Sequence, residues 1–192
     1  MVQIWKPKEL NTFETEWGFS CMSYEISGAL GIKMAKPDQD VIVFVGDGSY
    51  LLQNSDIYSS VLYDKKLIIV VCDNGGHMVI NRLQLAKGGK EYLCNLNAAR
   101  ATNVQFVDFE AHAKSMGANG ETVKSISELE AAFKRAKESD KTYVISMKTD
   151  GYEWLEGTAF WESPTLQVDN TEGQKSALNE FLEGKNKQRK GV

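Results

Sequence analysis

Apolar positions follow two alternating rhythms along this chain. Residues 24–35 carry Ile26, Ala29, Leu30 and Ile32 at roughly helical spacing, although Gly28 and Gly31 weaken the intrinsic helix propensity. Lys36-Pro37-Asp38 breaks that pattern. Residues 41–45 are then an unbroken β-branched and aromatic run, which predicts a strand covered on both faces. Gly46-Asp47-Gly48 ends it. Residues 54–63 place Ile57, Tyr58, Val61 and Leu62 on one helical stripe, and residues 67–71 form a second apolar strand ended by Asp73-Asn74-Gly75-Gly76. A helix carrying Val79, Ile80 and Leu83 is expected to begin near His77. Further on, residues 109–116 suggest a short helix and residues 121–124 a short strand. Ser127-x-x-Glu130 reads as a capping box for a helix whose apolar face is Leu129, Ala132, Phe133 and Ala136. Residues 142–147 are the last strand.

Strands alternating with helices predict an α/β fold: a parallel sheet with helices on both faces, joined by right-handed crossovers. Three stretches lack periodicity. Residues 1–16 read as a lead-in or linker. Residues 87–103, with Gly88-Gly89 and three asparagines, read as a long mobile loop, either able to close over a site or plainly disordered. Beyond residue 150 the pattern dissolves, and residues 185–192 read as a polar, basic tail. The expected organisation is therefore a lead-in over 1–16, one domain over 17–165 and a C-terminal helix or tail over 166–192.

Composition narrows the function classes. The 192 residues are 42% apolar and 25% charged with a net charge of −4, so nothing in the overall charge favours nucleic acid. The apolar runs are too short to span a bilayer, and the N-terminus lacks the charged-then-apolar pattern of an export signal. The three cysteines, Cys21, Cys72 and Cys94, form no Cys-x-x-Cys pair, and a reducing cytoplasm is their simplest setting.

Candidate chemistry lies at two strand ends, where open parallel sheets bind their ligands. Gly46 and Gly48 flank Asp47, a hard oxygen donor. Asn74 offers an amide oxygen and is followed by two glycines. Magnesium takes about six oxygens and commonly shares phosphate oxygens with carboxylates. Ser49 and the turn from Gly76 through His77 to Met78 lie near expected helix starts, where free N–H groups favour phosphate. Either motif alone is an ordinary turn; two adjacent strand–helix units that both end in oxygen donors and glycines are more telling.

Gly46-Asp47-Gly48, with 25 residues between Gly48 and Asn74, resembles the diphosphate-binding motif of thiamine-diphosphate enzymes. The residue before the final Asn is usually a second Asn in that family; here it is Asp73, a departure that leaves the ligand itself intact. The resemblance implies that Asp47 and Asn74 ligate the metal through side chains and Gly76 through its carbonyl. It also implies that Met22, 25 positions before Asp47, props the cofactor into its bent shape, with Ser20 and Cys21 beside it and the Ser20 carbonyl accepting from the aminopyrimidine. A flexible apolar side chain suits that wedge. Ser23 stands where the family often has Gly. The string from Trp17 to Glu25, with Gly46 to Leu51 and Gln84, is most similar to the trihydroxycyclohexanedione hydrolases of myo-inositol catabolism. That branch implies a cyclic 1,2-diketone substrate opened to 5-deoxy-glucuronate.

The same resemblance implies a glutamate that activates the pyrimidine ring from a separate pyrimidine-binding domain, across the interface of a dimer or tetramer. Glu14, Glu16 and Glu25 are poor substitutes, so the chain is expected to be one domain of a larger enzyme, inactive by itself. His77 has two readings: a backbone phosphate contact with its imidazole free for substrate, or a plain helix-start residue. His112 is expected at the surface without a partner. Trp154 and Trp161 suit either a core or a docking face. The alternatives are an acetolactate synthase-like carboligase or decarboxylase domain and, in another class, a non-catalytic phosphate, nucleotide or interaction module. No Gly-x-Gly-x-x-Gly opens a helix to support a dinucleotide site.

Overall fold

The two unbroken apolar runs become neighbouring strands of one parallel sheet. The computed structural model describes residues 4–16, 18–19, 21–99, 103–154 and 171–188. In chain order the elements are α1 (Tyr24–Ala35), β1 (Ile42–Gly46), α2 (Asp47–Leu52), α3 (Ser55–Leu62), β2 (Ile68–Asp73), α4 (Met78–Ala86), α5 (Phe109–Ser115), β3 (Asn119–Val123), α6 (Ile126–Glu138), β4 (Tyr143–Lys148) and α7 (Glu172–Lys187). They divide into two units: Met1–Asn74 with Gln105–Thr149, and Gly75–Val104 with Asp150–Val192.

The first unit holds the sheet, ordered β1-β2-β4-β3 and parallel throughout. Side chains alternate across it. One face presents Val43, Val45, Ile69, Val71 and Val144 to Ile26, Ala29 and Leu30 of α1, Ile57 of α3 and Phe109 and Ala113 of α5. The other presents Ile68, Ile145 and Val123 to Ala132 and Ala136 of α6. Each such aliphatic side chain, fully buried, contributes about 1.5–3 kcal/mol, so covering both faces is what makes an all-parallel sheet stable. The expected α/β fold, with helices on both faces, is the one observed. Residues 4–16 carry no helix or strand; the Trp5 ring lies 6.4 Å from that of Phe44 on β1.

Local details depart from the sequence pattern in instructive ways. On α3 the buried positions are Ile57 and Ser60, whereas Tyr58 and Leu62 face solvent. Ser60 is tolerated inside because its hydroxyl pairs with Thr142 Oγ1 at 2.6 Å, which also accepts the Leu67 N–H at 3.1 Å. The capping box sits two residues earlier than its expected place. Ser125 Oγ accepts the Glu128 N–H at 3.2 Å, and Glu128 Oε2 accepts the Lys124 N–H at 2.7 Å. Both spacings exist in the sequence; α6 starts at Ile126, with two residues between it and the end of β3 at Val123.

The second unit contains α4 and α7. Val79 and Ile80 of α4 are exposed, and Met78 and Asn81 are the buried positions. The loop expected to be mobile is instead structured where described: Leu96–Ala98 form a 3-10 turn and Asn95 makes an antiparallel bridge with Gly76. The start of the expected tail, up to Lys187, is the end of α7. Within this unit Lys87 stacks over Phe181 of α7, 5.5 Å from the ring centre. No described helix is long and apolar enough to cross a membrane.

Two substitutions test these packing assignments. Ser125→Ala should cost about 0.5–2 kcal/mol by removing the cap of α6, with Ser127→Ala close to neutral; urea unfolding of both variants measures the difference. Gly120→Ala should destabilise by about 1–3 kcal/mol, because its new Cβ would lie 2.9 Å from the Glu110 carbonyl oxygen, a backbone atom that cannot swing aside; calorimetric unfolding reads the loss.

Candidate functional site

Register decides which residues meet. β1 and β2 pair in parallel with Gly46 opposite Cys72, so the residues that follow each strand emerge side by side at the carboxyl edge of the sheet. Asp47 opens α2 and is only 3% exposed. Its Oδ1 accepts the backbone N–H of Asn74 in a long hydrogen bond of 3.3 Å. Two motifs that sequence keeps 25 residues apart are therefore in contact within the first unit. Burial pushes the Cys72 thiol up, and the negative charge of Asp47 nearby adds to the effect.

The departure at Asp73 has a local explanation. Its carboxylate points to the end of β4, where Lys148 Nζ lies 2.5 Å from Oδ2, and its carbonyl accepts the Thr149 N–H at 2.9 Å. Lys148 also sits 4.7 Å from the centre of the Phe106 ring. A buried carboxylate needs a cation or hydrogen bonds, and β4 supplies the cation from a register partner of Asp73.

The turn before α1 is tied to the same edge. Ser23 is 1% exposed, adopts a left-handed backbone with φ 74°, and donates its hydroxyl hydrogen to the Ser49 carbonyl on α2. Periodicity and spacing assign this residue no role; the structure gives it one. The signal was the glycine usual at this position, which marks a left-handed backbone; serine accepts strain of about 1–2 kcal/mol there and gains a tie between the Met22 turn and α2. Met22 is 41% exposed rather than packed in the core. With Cys21, Glu25 and Ser49 it lines part of a cleft of about 630 Å³ in the first unit. Glu16 organises the approach, its carboxylate accepting the N–H groups of Phe19 and Cys21, both at 2.7 Å. Trp17, Ser20 and Trp161 lie outside the described residues.

In the second unit, Gly76 has φ 137°, and a Cβ there would overlap the Cys94 carbonyl oxygen, so only glycine fits. The His77 N–H donates to that same carbonyl at 2.7 Å, and the Leu96 N–H donates to the Gly75 carbonyl at 3.0 Å. The backbone N–H of His77 is thus engaged, while its buried Nδ1 has no partner among the described residues. Met78 is buried at the start of α4. Trp154 is 44% exposed, with the Arg82 guanidinium 4.5 Å from its ring centre.

One expectation is corrected in the first unit. His112 is not partnerless: its Nδ1 lies 3.0 Å from the hydroxyl of Tyr50, a residue with no exposed surface. Burial raises the Tyr50 phenol well above its ordinary range. No group of three His, Cys, Asp or Glu side chains that could hold a metal occurs among the described residues. A cation at Asp47 would therefore depend on neutral oxygens and on oxygens brought by a ligand.

The family model for the C-terminal TPP (thiamine pyrophosphate, that is, diphosphate) binding domain of thiamine pyrophosphate enzymes matches residues 1–147. Curated relatives include the 3D-(3,5/4)-trihydroxycyclohexane-1,2-dione hydrolase of Shouchella clausii, 40% identical over 165 residues that cover 82% of this chain and 26% of the relative. The protein of the same name from Listeria monocytogenes is 37% identical over 180 residues, covering 93% and 28%. This chain thus spans about a quarter of the length of those relatives. Among solved structures, the Rhodococcus jostii RHA1 thiamine diphosphate-dependent 4-hydroxybenzoylformate decarboxylase superposes with a TM-score of 0.56 at 24% identity, over 67% of this chain and 23% of that one, a likeness of fold alone. The motif ends that meet at neighbouring strand ends and the family match over residues 1–147 lead to one conclusion: the chain belongs to the C-terminal thiamine-diphosphate-binding domains of thiamine-diphosphate enzymes.

Proposed function

We propose that this chain holds the diphosphate of thiamine diphosphate, with a magnesium ion, for an enzyme that hydrolyses 3D-(3,5/4)-trihydroxycyclohexane-1,2-dione to an open-chain 5-deoxy-glucuronate in inositol catabolism. The observation that carries the reading is the contact between Asp47 and Asn74 at adjoining strand ends. The names of the relatives supply the substrate. The residues suit the group: Asp47 is a nearly buried carboxylate, and a Cβ on Gly46 would meet nothing within 4 Å, so the backbone beside it faces open space. Asp47 and Asn74 would be side-chain ligands and Gly76 a carbonyl ligand, with phosphate and water completing the roughly six oxygens that magnesium takes. A magnesium ion would also offset the penalty of burying the Asp47 charge.

When bound, the cofactor supplies a thiazolium carbon able to attack a carbonyl and hold the resulting electron pair. The protein's part is placement. Met22, half exposed on the turn tied down by Ser23, would be the apolar wedge against the cofactor, with Cys21 before it in the chain and the Ser20 carbonyl accepting from the aminopyrimidine. Gly46, Gly48 and Ser49 form the approach to the diphosphate, with His77 and Met78 following Gly76 along the chain. The buried His77 Nδ1 is open to a hydrogen bond from a bound molecule. The glutamate that activates the pyrimidine ring comes from a pyrimidine-binding domain, in a region of the relatives beyond the part this chain matches, within a dimer or tetramer. The three free thiols suit a reducing cytoplasm.

Calorimetry tests the cofactor site. Thiamine diphosphate should bind the chain only with magnesium present, and Asp47→Ala should abolish that binding; affinity unchanged by the substitution would remove the metal assignment. Turnover tests the division of labour. Given the dione, cofactor and magnesium, the 192-residue chain should release no acid, and full hydrolysis by it would show the activating group to be its own. In an assembly with the pyrimidine-binding domain, acid release is expected, whereas a carbon–carbon joined product would point to a carboligase.

A further inference from the structure

Residues 94–96 double back on the turn that follows Asn74. The contact is an antiparallel bridge between Gly76 and Asn95, with backbone hydrogen bonds from His77 to Cys94 at 2.7 Å and from Leu96 to Gly75 at 3.0 Å. Both glycines of the turn have positive φ, 84° and 137°. Left alone, such a Gly-Gly pair has more backbone freedom than any other dipeptide, so its shape must be imposed from outside.

Asn95, at the centre of the crossing segment, is 3% exposed. Its Oδ1 accepts the Asn97 N–H at 2.9 Å, starting the 3-10 turn, and its Nδ2 donates to Tyr152 Oη at 2.6 Å and to Glu91 Oε1 at 3.4 Å. Glu91 Oε1 also accepts from Tyr152 Oη at 2.6 Å and from Asn81 Nδ2 of α4 at 3.0 Å. The Tyr152 hydroxyl first, then Asn81, holds the Glu91 carboxyl below the usual carboxylate range. One acceptor thus gathers donors from the helix that follows the turn, from the strap that crosses it and from Tyr152. The contacts are polar and directional, and hydrogen-bonded networks of this kind favour one geometry, although the buried Asn81 Oδ1 has no partner among the described residues.

We propose that Asn95, clamped by Glu91 and Tyr152, is a positioning residue that sets the Gly75-Gly76-His77 backbone for the magnesium-bound diphosphate. This rests on the proposed cofactor site. The segment expected to be a mobile lid is, in its described part, a strap on the cofactor turn. Groups one layer behind a metal ligand commonly set its affinity by about 10–100-fold.

The test uses the full 192-residue chain in two arms. In the first, without cofactor, amide hydrogen exchange is followed at His77 and Leu96. Asn95→Asp, which removes the donor and sets a second negative charge against Glu91, should speed exchange at both by about tenfold or more. Glu91→Gln in the same chain should restore protection, because Gln can donate to the new carboxylate. In the second arm, calorimetry with saturating magnesium should give thiamine diphosphate binding about 10–100-fold weaker in Asn95→Asp and recovered in the double variant. Unchanged exchange at His77 and Leu96, wild-type affinity in Asn95→Asp, or exchange speeded equally through β2 would each overturn the proposal. Should Asn95→Asp fail to fold, Tyr152→Phe, which deletes one oxygen, carries both arms. Absence of binding by the wild-type chain would overturn the proposed function, and the exchange arm would then decide the strap by itself.

Discussion

The parallel pairing of β1 with β2 is the constraint on which the site depends. β2 is interior and buried along almost its whole length, whereas β1 is the edge strand, buried at Val43 and Val45 while Ile42 is 36% exposed, so the expected cover on both faces holds for β2 and for only one face of β1. A slip of one residue would turn the inward pair of β1, Val43 and Val45, outward; the core cluster they share with Ile69 and Val71 of β2 holds the register with Gly46 opposite Cys72. From that register the meeting of Asp47 and Asn74 follows without further design. The packing of α1 against the same face adds the Met22 turn, and the Ser23 hydroxyl joins that turn to α2.

Charge is handled locally around this edge. Two nearly buried aspartates stand at the end of neighbouring strands, and they differ in their surroundings. Asp73 has a cation, Lys148, brought from β4 by the sheet itself. Asp47 Oδ1 accepts the Asn74 N–H. The Lys148 pairing explains why the residue before Asn74 can be acidic here.

Much of the fold was legible from periodicity. The boundaries of α1 and the positions of β1, β2 and α6 came from runs of apolar residues, since burying apolar surface is the main driving force of folding and its spacing is written in the chain. Finer features were not legible because they rest on partners distant in sequence. Ser60 of α3 is tolerated in the interior because Thr142, 82 residues away, satisfies it. His112 has Tyr50, 62 residues away. The sequence pattern puts the α6 cap at Ser127, whereas Ser125 is the residue whose hydroxyl accepts the first-turn N–H. The glycines and asparagines of residues 87–103 suggested freedom, whereas the Asn95 side chain donates to Tyr152 Oη and accepts the Asn97 N–H.

The amino-acid sequence by itself determined the class of fold and the identity of the candidate ligands. Both depend on local matters: which residues are apolar, at what period, and which oxygen donors and glycines end each strand. Tertiary structure alone decided that Asp47 and Asn74 touch, that Asp73 is taken up by Lys148, that Ser23 bridges to α2, and that residues 94–96 cross the Gly75-Gly76 turn. The physical reason is common to all four. A hydrogen bond or ion pair acts over about 3 Å, and only strand register and chain reversal bring groups from separate segments within that distance.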